Sequence, residues 1–273
     1  MTKNDVRSSP GPPAPSCVVF VHVPKTAGQT LNAILARQYD QTATVIVEDR
    51  SDLQASFLRT ARRRPVSLMR GHLPYGIHEA LGIDVVYITM LREPVARVVS
   101  TYRYIKRTPH HRLHEVVRAE RMTLSRFVQS DIDREEVVDG QTRLLSGILD
   151  RDPDEEMLAK AIDNLDRIAV VGLTERFDQS VLLMRRQLGW RFPLYIRKNV
   201  APALSTDALD PRDRALIEQQ NRLDMRLYRA AEALLDGRII SAGTSFQVQL
   251  VAFRALNRLA NLYVALLRRP QAE

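Results

Sequence analysis

The chain has 273 residues, 45% of them apolar, enough to bury one sizeable core, and a single α/β domain is the simplest organisation. Its formal net charge of +8 suits an anionic partner (nucleotide, nucleic acid, acidic glycan or membrane surface) without choosing among them. The one cysteine, Cys17, excludes an intrachain disulfide, and the lack of any run of roughly 18 apolar residues argues against a transmembrane helix.

Residues 1–16 hold Pro10, Pro12, Pro13 and Pro15 and no hydrophobic stretch, the composition of a disordered leader rather than a signal peptide. With the lone cysteine this points to a reducing, cytoplasmic setting, and residues 17–273 are expected to form one domain. The β-branched run 17–23 predicts a strand buried on both faces of a parallel sheet. Leu31, Ile34, Leu35 and Gln38 follow at helical spacing. Residues 44–47 predict a second strand. Ser51 is a candidate cap for a helix bearing Leu53, Phe57 and Leu58. Residues 66–69 predict a third strand and 84–91 a fourth. Pro94 sits where the first turn of a helix tolerates proline, ahead of the stripe Val95, Val98, Val99, Tyr102 and Ile105. Residues 107–167 read as helical and charged, 168–173 as a late strand, and 177–188 as a helix stopped near Gly189. Leu216, Leu223, Leu227, Ala231 and Leu234 mark one long amphipathic helix and 246–267 another, among C-terminal helices expected over about 213–268. Alternating strands and helices predict a parallel sheet covered on both faces.

The first strand runs into Pro24-Lys25-Thr26-Ala27-Gly28-Gln29-Thr30 and then a helix. Backbone N–H groups at a helix start are unpaired and the dipole favours negative charge there, so the junction is suited to an anion. Lys25 adds a mobile cation, and Thr26 and Thr30 add hydroxyl donors. An ordinary strand-to-helix turn with a surface lysine is the competing reading. The order differs from the G-x-x-x-x-G-K-[ST] triphosphate loop, because lysine here precedes the glycine. At the end of the fourth strand comes Arg92, on the edge where open α/β sheets bind ligands, with a fork suited to phosphate. Ser100 lies about two turns along the next helix, so the two side chains can converge on one phosphate.

Residues 21–31 resemble the 5′-phosphosulfate loop of the sulfotransferases that use 3′-phosphoadenosine 5′-phosphosulfate (PAPS). The likeness is closest to the glycan-directed branch that includes heparan sulfate 2-O-sulfotransferase, and the chain reads as a soluble, bacterial-type member. The resemblance implies a P-loop-containing three-layer α/β/α sandwich with a central parallel sheet and extra C-terminal helices. It implies that Lys25 contacts the phosphosulfate and supports the leaving group, with Thr26, Ala27, Gly28, Gln29 and Thr30 as further donor contacts. The segment 91–102 resembles the family's 3′-phosphate motif, with Arg92 and Ser100 matching in spacing. Arg197 and Lys198 resemble a late basic loop that closes over the donor.

Arg70-Gly71-His72 follows the third predicted strand. An imidazole with a near-neutral pKa can take a proton from an attacking hydroxyl, and the resemblance places the family's catalytic base at His72. Its relatives carry a second histidine where this chain has Arg70. Glu93 is the fallback base. His22 is read as packing, Arg97 and Arg103 as solvated or paired, and the cluster His110, His111 and His114 as an exposed loop because no carboxylate or cysteine stands at ligand spacing. Residues 171–177 are assigned mainly to packing, with Thr174 as a helix cap.

The expected reaction is in-line transfer of a sulfuryl group to a hydroxyl of a saccharide or glycoconjugate, releasing adenosine 3′,5′-bisphosphate, with no metal required and no nucleic acid as partner. A small-molecule kinase is a rival, but it needs a Walker-type lysine and a metal-binding acid. A non-catalytic basic protein that binds glycan or nucleic acid is another, but it leaves the ordered set Lys25, His72, Arg92 and Ser100 unexplained. The helix at 246–267 is open to core packing, homodimer formation or peripheral membrane contact.

Overall fold

The computed structural model describes residues 17–47, 50–196 and 209–267; the expected leader at 1–16 lies outside them. Five strands form one parallel sheet: β1 (Val18–Val21), β2 (Thr44–Val47), β3 (Leu68–Gly71), β4 (Val86–Leu91) and β5 (Val170–Leu173), in the order β2-β3-β1-β4-β5. β1 is central because all four of its residues are apolar and buried, which suits a strand covered on both faces. α1 (Gly28–Gln38), α2 (Leu53–Ala61) and α3 (Ile77–Leu81) link the first four strands in turn. Between β4 and β5 run α4 (Pro94–Arg107), α5 (His114–Ala119), α6 (Leu124–Gln129), α7 (Arg134–Val137), α8 (Gly140–Ser146) and α9 (Glu155–Arg167). After β5 come α10 (Phe177–Leu188), α11 (Pro211–Gln220) and α12 (Arg222–Leu267). The architecture is a three-layer α/β/α sandwich with C-terminal helices. The main core surrounds the sheet. A smaller one, with Val95, Val98, Ile105, Phe127 and Ile217, joins α4 to α6 and α11.

Several expectations shift. β3 begins and ends two residues later than the apolar run suggests, because its pairing with β1 continues through Phe20↔Arg70 and Val21↔Gly71. A Cβ at Gly71 would overlap the Val47 carbonyl of β2, so this strand end accepts only glycine. Ser51 does not cap α2: a 3₁₀ turn over Arg50–Asp52 moves the helix start on, leaving Asp52 at the cap position without a side-chain bond. The stripe from Leu216 to Leu234 belongs to two helices, separated at Asn221, whose backbone caps α11. The last helix breaks again at Gly243, whose backbone is non-helical. By length and composition α12 could cross a membrane, which the search for an unbroken apolar run passes over.

Of the two readings of Arg97, solvated or paired, the structure has the paired one. It is wholly buried, with its guanidinium 3.3 Å from Asp224 and donating to the Glu136 carbonyl at 2.7 Å. Asp224 also accepts from the backbone of Gln141 and Thr142, the first turn of α8. Asp139 accepts in return from Leu223 and Asp224, the first turn of α12. Each helix start is thus capped by an acid from the other.

Candidate active site

The carboxyl ends of β3, β1 and β4 lie side by side, and each delivers one of the residues singled out from the sequence. β1 leads to Lys25. The loop there is tightly wound, with Lys25 at φ 65° and Ala27 at φ 62°, conformations uncommon away from glycine. The buried Thr26 hydroxyl donates to the Val23 carbonyl at 2.7 Å, so it closes the loop rather than reaching outward. α1 starts at Gly28 with no side-chain cap, which keeps an anion-favouring helix end at the loop. Thr30 is buried in the first turn. Burial, opposed by Glu136 and reinforced by Arg107 and Arg92, lowers the Lys25 ammonium to about 8. Its Nζ lies 3.4 Å from the centroid of the Tyr104 ring, a cation–π contact that shelters the charge.

β4 leads to Arg92. Its guanidinium donates to the Lys25 carbonyl at 3.0 Å, so the β1 loop and the end of β4 are one physical unit. Gln141 fixes the Arg92 backbone from both sides: its side-chain oxygen accepts from the N–H at 3.0 Å and its amide donates to the carbonyl at 2.9 Å. Glu175 lies 4.0 Å from the Arg92 Nε, accepts from the Glu93 backbone at 3.2 Å and from the Tyr228 hydroxyl at 2.9 Å. Burial lowers the Arg92 pKa while Glu175 and Glu93 raise it. Ser100 is half-buried on α4. Tyr104 follows it by four residues and so shares its face, which turns the Ser100 face toward the Lys25 loop.

β3 leads to His72, which is exposed and stacked on His22, with ring centroids 4.8 Å apart. His22 stacks in turn on Phe20 at 5.3 Å. Burial drives the His22 pKa down to about 3, helped by His72, Lys25 and Arg70, so His22 is a neutral platform. A cavity of about 650 Å³ opens beside the pair, with Pro24 and His72 on one wall and Arg112, Asp133, Glu136 and Arg143 among the others.

Not every expected residue joins this edge. Glu93 spends both carboxylate oxygens on α4, accepting from Val95 at 3.0 Å and Ala96 at 2.7 Å, which makes it a helix cap rather than a free base. Thr174, expected as a helix cap, instead donates its hydroxyl to the Leu91 carbonyl at 2.9 Å and ties β5 to β4. His114 is not in an exposed loop. It is buried on α5, with Nδ1 2.8 Å from the Ile105 carbonyl. Arg197 and Lys198 lie outside the described residues. Among those residues, no group of three or more His, Cys, Asp or Glu side chains is arranged to hold a metal ion. Sequence reasoning passed over Tyr104, Gln141 and Glu175. Only Tyr104 carried a usable signal, its four-residue spacing from Ser100.

The features so far define an open α/β protein whose cationic ligand edge is built at the carboxyl ends of three adjacent strands. The sequence profile of galactose-3-O-sulfotransferase matches residues 3–264. The chain belongs to the galactose-3-O-sulfotransferase family. It is 28% identical to galactose-3-O-sulfotransferase 3 of Bos taurus over 270 residues, covering 87% of this chain and 61% of that protein. The Mus musculus protein of the same name is 27% identical, with 87% and 60% covered. The chain thus spans about three-fifths of the length of the curated relatives it matches, and these mammalian relatives lend no support to a bacterial type. Among solved structures, mouse sulfotransferase SULT7A1 complexed with PAP aligns with a TM-score of 0.45 at 13% identity, over 80% of this chain and 89% of that one.

Proposed function

We propose that this protein transfers a sulfuryl group from PAPS to a hydroxyl of a saccharide, and that a galactose-bearing glycan is its acceptor. Family membership supports the chemistry, and one observation carries the assignment of residues: the Arg92 guanidinium is bonded to the Lys25 carbonyl. A donor with phosphate at both ends requires two cationic points at a fixed separation, and this bond fixes them. Lys25 and the α1 start hold the phosphosulfate end, Arg92 and Ser100 hold the 3′-phosphate, and Gly28, Gln29 and Thr30 supply the helix start.

The acceptor hydroxyl oxygen attacks sulfur in line, the bond from sulfur to the bridging phosphate oxygen breaks, and His72 takes the hydroxyl proton. Lys25 balances the charge that develops on the leaving oxygen, so positioning and electrostatics supply most of the acceleration. The products are a sulfated acceptor and adenosine 3′,5′-bisphosphate. The cavity beside His72 suits a polyhydroxyl acceptor, since its walls pair cations and carboxylates, as in Arg143 with Asp152 at 3.4 Å and Arg134 with Asp152 at 3.1 Å. The lone, buried Cys17 is compatible with a reducing, cytoplasmic setting.

The test is a labelled-sulfate transfer assay on galactose-terminated oligosaccharides with mass identification of the product. Sulfated galactoside is expected with PAPS, and His72→Asn should lower kcat by about 10²- to 10⁴-fold with donor binding retained. Product formed only with ATP and magnesium, or none with any saccharide, would overturn the assignment.

A pH dependence follows from Lys25. A bound phosphate holds the ammonium charged, so its pKa rises on binding from about 8 in the free protein. Affinity for adenosine 3′,5′-bisphosphate should therefore be full below pH 8 and fall above it by up to roughly tenfold per unit. Titration calorimetry across pH 7 to 9.5 reads this directly. A flat profile, identical to that of Lys25→Ala, would show that Lys25 does not meet the nucleotide.

A further inference from the structure

Beyond Gly243, α12 continues to Leu267 as a rod of about 36 Å at 1.5 Å per residue. One face is spent on the domain, where Phe246, Leu250 and Phe253 are buried. The opposite face is apolar too, yet open: Val248, Val251, Leu259, Leu262 and Leu266 are each between 61% and 69% exposed. Their spacings of three, four and eight residues keep them on one side of the helix. An 18-residue window of α12 reaches a mean hydropathy of 1.3 with only 17% of it buried. A surface helix in water turns its apolar stripe inward and its polar face out; this one is apolar on both.

Charge narrows what covers the open side. From residue 237 to residue 272 the sequence contains no Asp or Glu, but it holds Arg238, Arg254, Arg258, Arg268 and Arg269. Arg238 is used internally, donating to the Ile168 and Ala169 carbonyls at 2.8 and 2.6 Å. Arg254 and Arg258 are exposed at the margin of the apolar face. With Asn261 and Tyr195 they line a second cavity of about 650 Å³. Asp178 reaches Arg254 there at 3.4 Å. Two copies paired along this helix would each bring Arg254 and Arg258 against the single acid Asp178, leaving a net like-charge arrangement that costs stability. An anionic bilayer offers hydrocarbon to the leucines and phosphates to the arginines. The buried phenylalanines hold the helix along the domain, so it lies on the surface rather than crossing it.

We propose that the outward face of α12 beyond Gly243 docks on an anionic lipid bilayer, with Val248, Val251, Leu259, Leu262 and Leu266 entering the headgroup–acyl boundary and Arg254 and Arg258 meeting headgroup phosphates. Vesicle flotation tests it. The full chain should float with mixed phosphatidylcholine–phosphatidylglycerol vesicles and about tenfold less with phosphatidylcholine alone. The triple variant Leu259→Gln, Leu262→Gln, Leu266→Gln should lose flotation with its thermal midpoint and transfer activity unchanged. Arg254→Gln with Arg258→Gln should reduce binding to the mixed vesicles to the phosphatidylcholine level. Absence of flotation overturns the proposal, as does a triple variant that floats like the parent. A chain that ignores vesicles but self-associates in sedimentation, and that the triple variant renders monomeric, assigns the face to a second copy instead.

Discussion

Lys25→Ala should reduce the turnover of sulfuryl transfer by about 10²- to 10³-fold, the scale of removing one preorganised stabiliser of transition-state charge. In the proposed mechanism Lys25 is the mobile counter-ion for the charge that appears on the bridging oxygen as the bond to sulfur breaks, and its cationic neighbours are placed for other roles. His22 is held neutral by its burial, and Arg92, anchored on the Lys25 carbonyl and beside Glu175, is assigned to the 3′-phosphate. The fold should survive, because the Lys25 side chain makes its visible contact with the face of Tyr104 and carries a desolvation cost that alanine removes. Single-turnover measurements with saturating donor separate this effect from weakened binding. A variant whose chemical step stays within threefold of the parent would remove Lys25 from the mechanism.

Asp224→Ala should destabilise the protein by about 3–5 kcal/mol, since it leaves a buried cation without its partner. Asp224 and Arg97 are both fully buried. The carboxylate also accepts from the backbones of Gln141 and Thr142 at 3.1 and 2.7 Å and from the Thr142 hydroxyl at 2.8 Å. Alanine orphans the guanidinium and the start of α8 together. Denaturant titration would show a lower midpoint with unchanged slope, and Arg97→Met in the same background should recover much of the loss, because the stranded charge is then gone. A single variant within 1 kcal/mol of the parent would mean that water reaches the pair. Because Gln141 stands at the start of α8 and holds Arg92 on both sides, the surviving fraction should also bind donor more weakly.

These two residues mark what was legible in the sequence. Lys25 declares itself because strand, loop and helix are contiguous, and the chemistry is local. Arg92 and His72 are readable for the same reason, each following an apolar run that ends at the ligand edge. Asp224 offers no local sign. Its partners lie 127 and 83 residues away, and a mid-helix acid looks like any solvated one. Glu175 is hidden likewise, since its tie to the residue after Arg92 spans 82 residues. The end of β3 is not legible because Arg70 interrupts the apolar run, although parallel pairing to β1 does not depend on side-chain polarity. The break at Gly243 falls between the two helices expected through Leu234 and over 246–267, because glycine tolerates the left-handed backbone found there.

Gly28 has a consequence for inheritance. A Cβ there would occupy the same space as the His22 ring, and that ring is the platform on which His72 rests. A change at codon 28, in the loop proposed to hold the nucleotide, would push two imidazoles out of place and, on the proposed mechanism, appear in genetic screens as a defect in the acceptor step. The two halves of the site therefore cannot drift independently: a lineage that alters one must repair the other at His22 or His72.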